Sequence, residues 1–280
     1  MRANDVHPNA ILRHGAYLCL NPPPSAPGAP PAPTAPAAMR AVAGAAVPAL
    51  AERLGLRNEF EADGEDPPDA IAFLRRVGAA PAAVADDRLL GAAAVVHVAS
   101  ARADLVAAFC AETARLLAPA VTPHVLGGVV RPMLFTGNSM HNFAYAHRML
   151  QQPGTAAPNA FLVPMIKTAA WWQKDWMERH TYFLPRYDGS GRRVAEGHAL
   201  AAAAGVACLM RRTYKHPAEP APPGDYDFIT YFECADADVP TFHQVCAALR
   251  DVARNPEWAF VREGPTWHGR RVATWEELCA

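Results

Sequence analysis

The alternation of strands and helices over the last two thirds of the chain constrains its fold more than any other feature of the sequence. Residues 92–99 and 226–234 are short runs rich in β-branched or aromatic side chains, which favour strands. Residues 104–117 and 239–253 carry apolar side chains at helical spacing. This alternation predicts an α+β fold. The other predicted elements are strands at 124–135, 161–166, 206–214 and 258–262 and a helix at 193–204.

The order of these elements divides the body of the protein into two modules. Residues 90–165 and residues 166–280 each combine strands with helices in the order of a ferredoxin-like unit. We expect the two sheets to pack into one α+β barrel. Because the two stretches show no residue-level repeat, the duplication is predicted from element order alone.

Residues 1–89 are predicted to form an N-terminal extension. Within it, residues 21–38 are rich in proline and alanine and offer few apolar anchors, which predicts a disordered linker. A helical segment is expected after the linker, with one helix over residues 49–56. Asp69 is a candidate N-cap for a second helix over residues 70–77.

The composition limits the classes of partner. The 280 residues include 26 basic and 27 acidic side chains, so the net charge of −1 does not favour a nucleic acid or an anionic membrane surface as partner. No apolar run reaches the roughly 20 residues that span a bilayer, and no secretory signal is expected. The six cysteines form no C-x-x-C pair, which favours buried, reduced thiols. We therefore expect a cytoplasmic protein that binds neither nucleic acid nor membrane.

His198 is the first candidate functional residue. It lies on a predicted helix, where Val194 and Ala201 share its face. These small neighbours leave room beside the imidazole for something flat and wide. On this basis alone two interpretations stay open: a core histidine that hydrogen-bonds a backbone carbonyl, or the ligand of a planar cofactor.

Two neighbouring arginines, Arg211 and Arg212, follow an otherwise apolar predicted strand. Adjacent residues of a strand point to opposite faces, so one of the two is expected to point inward. A buried arginine is costly unless it meets an anion, and its planar fork suits an oxyanion or a carboxylate. An anion-binding role and an ordinary salt bridge are both compatible with this pattern.

Three segments resemble motifs of the chlorite dismutase family of haem b enzymes. Lys167-Thr168-Ala169-Ala170-Trp171-Trp172 is similar to the family's K-[TS]-x-x-W-W segment, and residues 227–233, with the sequence D-F-I-T-Y-F-E, are similar to one of its strands. Between them, His198 and Arg211 lie thirteen positions apart on a predicted helix and the next strand. That pair resembles the family's proximal histidine and distal arginine. The resemblance covers about residues 160–275.

The resemblance implies a dimeric-type α+β barrel that binds haem b, iron protoporphyrin IX. His198 would be the metal ligand, and Arg211 the catalytic residue on the open face of the haem. The implied activity is the decomposition of chlorite or a related oxidant at a five-coordinate, His-ligated iron. The other cofactor-binding side chains are then expected to be Lys167, Trp171, Trp172 and Tyr214.

The same resemblance leaves other functions open. A His-ligated haem could instead support weak peroxidase chemistry or coprohaem decarboxylation. The barrel also occurs without haem, in cofactor-free monooxygenases and small-ligand binding proteins, and His198 would then be a core residue. Because members of the family form closed oligomers, we expect a homo-oligomer that acts on a small oxyanion or peroxide.

Two departures from the family's motifs concern the metal ligand. The run before His198 is longer than usual, and residues 177–181 within it read M-E-R-H-T, which makes His180 an alternative iron ligand. The family also places a glutamate behind its histidine, near the end of the last helix. Asp251 is the candidate substitute in this chain.

Overall fold

The computed structural model of the protein describes residues 13–23, 35–61, 68–80, 84, 87–118, 120–130, 153–264 and 266–280. The strands in these ranges are β1 His14–Asn21, β2 Arg57–Asn58, β3 Ala70–Arg76, β4 Ala94–Ser100, β5 Thr122–Val130, β6 Asn159–Lys167, β7 Arg186–Tyr187, β8 Arg193–Ala195, β9 Met210–Lys215, β10 Phe228–Cys234, β11 Val261–Glu263 and β12 Trp267–Val272.

The α-helices of the same ranges lie between and after these strands. They are α1 Ala35–Ala43, α2 Ala46–Arg53, α3 Ala103–Leu117, α4 Ala169–Trp172, α5 Trp176–Thr181, α6 Gly197–Ala201, α7 Val239–Arg250 and α8 Trp275–Leu278. Short 3-10 helices occupy Glu59–Glu61, Ala203–Gly205, Asp236–Asp238 and Pro256–Phe260. None of the described helices is long and apolar enough to cross a membrane.

Eight strands close into a barrel. Their order is β9-β5-β1-β4-β3-β12-β6-β10, and β10 pairs with β9 to complete the circle. Every neighbouring pair in this circle is antiparallel. The barrel confirms the expectation of a closed α+β architecture.

Both halves of the chain run through the same order of elements, strand-helix-strand-strand-helix-strand. The first half supplies β1, β3, β4 and β5, and the second supplies β6, β9, β10 and β12. Numbered within its own half, each set of strands lies in the order 4-1-3-2. The strands of the first half begin with β1, upstream of residue 90.

Two segments that the sequence placed in an N-terminal extension are barrel strands. Residues 14–21 form β1, and residues 70–76 form β3, where a helix was predicted. Both strands are buried along most of their length, so neither shows the apolar–polar alternation of a half-exposed strand. Asp69 caps no helix; its carboxylate accepts a hydrogen bond from the hydroxyl of Ser100.

The other element predictions have mixed outcomes. The helices expected over 104–117 and 239–253 are present as α3 and α7. The helix expected over 193–204 is instead divided into β8, α6 and a 3-10 turn. The predicted linker ends inside a helix, since α1 starts at Ala35, while residues 24–34 lie outside the described part of the chain.

Helices cover the barrel on the outside of both halves. In the first half, α1, α2 and α3 pack over the outer face of the sheet, where Val96 meets Phe109. In the second half, α7 lies over β6 and β10 and stacks Phe242 on Phe161, with ring centroids 3.8 Å apart. The outer face of the second sheet and its helices therefore form a layer that is separate from the barrel interior.

The barrel interior is filled with aromatic and charged side chains. Tyr17, Tyr214 and Tyr231 meet there, from strands of both halves. The fully buried carboxylate of Glu59 lies 3.2 Å from Nη1 of Arg212. This ion pair places Arg212 inside the barrel, which leaves the preceding residue, Arg211, to point outward.

A second ion pair in the interior allows a test of how much the barrel depends on buried charge. Arg271 donates to Glu233 over 2.8 Å, and the two side chains are 1% and 0% exposed. We expect Arg271→Met to destabilise the fold by about 3–5 kcal/mol, because it leaves a buried carboxylate without its cation. Urea denaturation measures this loss as a lower midpoint at unchanged slope.

The neighbouring residue supplies a matched control. Arg270 pairs with Asp236 at the surface, where the side chains are 42% and 68% exposed. Arg270→Met should therefore leave the urea midpoint nearly unchanged. Equal shifts for the two variants would show that burial does not govern the strength of these pairs.

Candidate functional site

A cleft opens between the outer face of the second sheet and the helices that cover it. Its walls are mainly aliphatic and aromatic side chains from β6, β9, β10 and α7. The polar side chains that line it include His198 from α6, Arg211 from β9 and Thr230 from β10. The space between the walls, including its open mouth, is about 570 Å³. The structure thus brings the two leading candidates, His198 and Arg211, to one site.

The chain before α6 fixes the position of His198. Gly197 has a φ of +69°, and a Cβ at this position would lie 2.5 Å from the carbonyl oxygen of Leu184. Only glycine tolerates both conditions. The ring of Phe183 packs against the imidazole of His198, with centroids 5.4 Å apart. The backbone N–H groups of residues 196 and 197 both donate to the carbonyl of Arg254.

A buried carboxylate orients the imidazole of His198. Nδ1 of His198 lies 2.8 Å from Oε2 of Glu257, which belongs to the 3-10 helix Pro256–Phe260. The other oxygen of Glu257 accepts a hydrogen bond from the ammonium group of Lys167. All three side chains are at most 12% exposed. The three residues form one hydrogen-bonded chain that leads away from the cleft.

The protonation of this chain follows from its burial and its charges. Burial lowers the pKa of His198, although the carboxylate of Glu257 opposes the shift. Burial alone would raise the pKa of Glu257, but the charge of Lys167 and the hydrogen bonds from His198 and Lys167 hold that pKa well below its ordinary value. At neutral pH the set is therefore a neutral imidazole, a carboxylate and an ammonium ion, with Nδ1–H of His198 donated to Glu257.

The remaining ring nitrogen of His198 is the atom available for chemistry. Among the described residues, Nε2 of His198 has no hydrogen-bond partner, and the ring lines the cleft. The described residues include no group of three or more His, Cys, Asp or Glu side chains that could hold a metal ion. The walls of the cleft are mainly apolar, which suits an organic group beside the imidazole. These residues fit a His-ligated haem.

The other charged groups at the cleft are arranged around its mouth. Glu263 lines the cleft, and Arg250 donates to both of its carboxylate oxygens, over 2.6 and 2.8 Å. The half-buried guanidinium of Arg211 reaches the cleft from the floor. Glu263 is held by Arg250, and Arg211 brings a guanidinium to the cleft, a group whose planar donors suit an anion.

Three residues expected beside the cofactor lie behind the cleft wall rather than on it. Lys167 reaches the site only through Glu257. Trp171 is buried against Phe260, and the ammonium group of Lys167 lies 4.3 Å from the centre of its ring. Trp172 stacks on Phe228. None of the three is among the described residues that line the cleft.

Two further candidates lie elsewhere. Tyr214 points into the barrel, where its hydroxyl is 2.7 Å from Nε2 of His97, so it is not a cleft residue. The reason is the alternation of β9, which sends Arg211 and Tyr214 to opposite faces. His180 lies near the end of α5, next to the ring of Trp176, and is also outside the described lining of the cleft.

The glutamate behind His198 is the functional residue that the sequence analysis missed. Asp251 was the candidate, but its carboxylate accepts backbone hydrogen bonds from residues 253 and 254 at the end of α7. The chain turns there, and Glu257 comes under His198 from the short 3-10 helix that follows, Pro256–Phe260. A search that allowed a turn after the last long helix would have found Glu257.

The barrel has the overall fold of solved chlorite dismutase structures. The chain is similar to chlorite dismutase from Candidatus Nitrospira defluvii in complex with imidazole, with 20% identity, a TM-score of 0.62, and 95% of this chain and 93% of that chain covered. A double variant of the same enzyme matches with 18% identity and a TM-score of 0.64, over 95% and 94% of the two chains.

An arginine-to-alanine variant of the same enzyme matches similarly, with 19% identity, a TM-score of 0.63, and 95% and 93% of the two chains covered. No protein-family model matches the sequence, and no curated protein matches it. The resemblance seen in the second half of the sequence thus extends to the fold of nearly the whole chain.

The glycine before His198 gives a test of how the site is held. We expect Gly197→Ala to displace α6 and to destabilise the protein by about 1–3 kcal/mol, because alanine would have to adopt a left-handed conformation against the carbonyl of Leu184. Thermal unfolding measures the loss, and the histidine NMR signals report the change around His198.

Gly189, in the turn between β7 and β8, is the matched control. A Cβ there meets nothing within 4 Å, and its φ lies outside the left-handed region. Gly189→Ala should leave both readouts unchanged. If Gly197→Ala behaves in the same way, the glycine does not position His198.

Proposed function

We propose that the cleft binds haem b and that the protein decomposes a small oxidant there, either chlorite or a related oxyanion or peroxide. One observation carries the proposal. His198 and Arg211 line the same apolar cleft, while Glu257 engages Nδ1 of His198 and leaves Nε2 directed to the cleft. This is the arrangement that an axial ligand with a separate anion-binding residue requires.

Three residues would hold the haem iron and orient its ligand. His198 would hold the iron through Nε2, and Glu257 and Lys167 would fix the ring orientation and its tautomer. A carboxylate that accepts Nδ1–H makes the imidazole a stronger electron donor. Bound haem would supply the redox chemistry by which the oxidant is decomposed.

Arg211 would bind the substrate anion. Its guanidinium is always protonated and presents several donors in one plane, so it would hold an oxyanion or a peroxide by charge-assisted hydrogen bonds. The partial burial of the side chain strengthens such bonds, because little water competes with the anion. Arg211 would also keep a charged fragment of the substrate in the cleft between steps.

The walls of the cleft support a flat cofactor. Ala202 has a small side chain and Gly205 has none, while Phe232 and Leu209 contribute apolar surface. Such walls offer mostly apolar surface to a bound ligand. The similarity to solved chlorite dismutases supports the same assignment. The repeated element order also supports two ferredoxin-like modules as the units of the barrel.

The two candidate histidines are separated by one pair of variants. We expect the wild-type chain to bind ferric haem with a saturable Soret band. His198→Ala should abolish that binding, because the iron loses its only bond to the protein, and His180→Ala should leave it intact. Haem titration followed by absorption provides the measurement.

Three other outcomes are distinguishable. The reverse result for the two variants would make His180 the ligand. Normal binding by both variants would place the iron elsewhere. Absence of haem binding by the wild-type chain would contradict the proposal and favour a cleft for a small organic ligand.

The role of Arg211 is tested on haem-loaded protein. Arg211→Ala should keep the haem and its axial ligand but reduce the turnover of chlorite or peroxide roughly 10²-fold, since one oriented donor at a reacting anion contributes about that much. Steady-state kinetics gives the turnover, and resonance Raman spectroscopy checks the bond between iron and histidine. Arg262→Ala is the control, because Arg262 is exposed on β11. Equal turnover for both variants would remove Arg211 from the mechanism.

A further inference from the structure

Behind the floor of the cleft, inside the barrel, lies a cluster of buried aromatic residues that the proposed function does not use. The rings of Tyr17 and His97 stack with centroids 5.1 Å apart, and Tyr214 meets Tyr17 edge to face at 5.3 Å. Tyr231 lies parallel to His97 at 6.0 Å. All four residues are at most 3% exposed. We call these four residues the barrel cluster.

The barrel cluster is one sheet away from the cleft. Arg211 and Phe232 line the cleft from β9 and β10, and they pair with each other across the two strands. The inward-facing residues of the same strands include Tyr214 and Tyr231. Tyr214 is three residues from Arg211, which corresponds to roughly 10 Å along a strand. The cleft and the cluster therefore share a wall.

Tyr214 is paired with a base in a geometry suited to proton transfer. Its hydroxyl lies 2.7 Å from Nε2 of His97. On the far side of the same ring, Nδ1 of His97 lies 3.6 Å from the carboxylate of Glu59. An imidazole between a phenol and a carboxylate can accept the phenolic proton, because the carboxylate offsets the resulting positive charge. Gly15 makes this placement possible, since a Cβ there would overlap the ring of Tyr214.

The tryptophans around the second sheet are less suitable electron donors than Tyr214. Cations lie over the rings of Trp171, Trp172 and Trp267, with Lys167, Arg179 and Arg76 at 4.3, 5.3 and 5.5 Å from the ring centres. A positive charge at this distance opposes the removal of an electron from the ring. Tyr214 instead has a base that removes a proton as the electron leaves.

We propose that Tyr214 and His97 form a redox-active pair that receives one oxidising equivalent from the cleft. The inference rests on the proposed function for its natural oxidant, a cofactor in the cleft that a peroxide or oxyanion has oxidised. One electron passes from the Tyr214 ring to that oxidant, which is reduced by one electron. The O–H bond of Tyr214 breaks, and its proton moves to Nε2 of His97. The products are a neutral phenoxyl radical and an imidazolium ion that faces Glu59.

The pair of Tyr214 and His97 would protect the side chains that line the cleft from oxidation. Cys246 and Trp258 line the cleft and are oxidisable. An oxidising equivalent that is moved to the barrel cluster leaves these two side chains intact, and the burial of the cluster keeps the radical away from solvent and other molecules.

A photochemical experiment tests the pair without any cofactor. Full-length protein without added haem is oxidised by flash-generated ruthenium(III) tris-bipyridine, and the product is followed by transient absorption and electron paramagnetic resonance. We expect a long-lived phenoxyl radical that is absent in Tyr214→Phe and present in Tyr187→Phe, whose side chain is exposed. His97→Gln should slow the formation of the radical roughly 10²-fold, the effect of losing a positioned base.

Two results would overturn the pair. One is a phenoxyl signal of the same yield and lifetime in Tyr214→Phe as in the wild type. The other is a radical that belongs to a tryptophan. Its electron paramagnetic resonance spectrum would change on ring deuteration of the tryptophans but not of the tyrosines, and the signal would disappear in Trp258→Phe.

A second arm tests the link to the cleft. Haem-loaded protein is mixed with hydrogen peroxide and frozen within milliseconds, and the same Tyr214-dependent radical is expected. A protein radical that persists in Tyr214→Phe would break the link. If the chain binds no haem, the proposed function fails, and the photochemical arm still decides the behaviour of Tyr214 and His97.

Discussion

The ion pair between Arg212 and Glu59 inside the barrel is the interaction on which the orientation of the site depends. A strand can send neighbouring side chains only to opposite faces, so anchoring Arg212 to a fully buried carboxylate turns Arg211 outward to the cleft. A slip of β9 by one residue would exchange the two faces. It would also place Arg211 in the barrel and break the ion pair between Arg212 and Glu59.

The opposite side of the cleft is held by backbone constraints and by one buried carboxylate. His198 lies on a helix of only five residues, too short to be stable by itself. Its position comes from the left-handed Gly197, from the backbone hydrogen bonds to Arg254, and from Glu257 under the ring. The two walls are thus built independently, and the apolar layer between the second sheet and α7 brings them together.

The sequence predicted those parts of the molecule whose signals are local. The spacing of apolar side chains marks α3 and α7, and the sequence places His198 on a helix and Arg211 on the strand that follows, as the structure has them. The strands β1 and β3 were missed because burial on both faces removes alternation, and alanine-rich β3 then reads as a helix.

Glu257 was missed for a different reason. It reaches His198 from a sequence separation of 59 residues, and only the turn after α7 brings it there. Tyr214 was expected beside the cofactor because it closely follows Arg211 in the sequence. It lies three residues further along β9, an odd number, so its side chain points to the opposite face and into the barrel. Contacts that depend on how remote segments pack leave no periodic signal in a single sequence.

The barrel closes at two seams, where β3 pairs with β12 and β5 pairs with β9, and each seam joins a strand of one half to a strand of the other. Neither half therefore covers its own outer strands. A half expressed alone would present two rows of unpaired backbone groups, the kind of edge to which other chains add. Fission of the gene between the halves would yield fragments that must find each other or aggregate, so what looks like a duplicated unit has become indivisible.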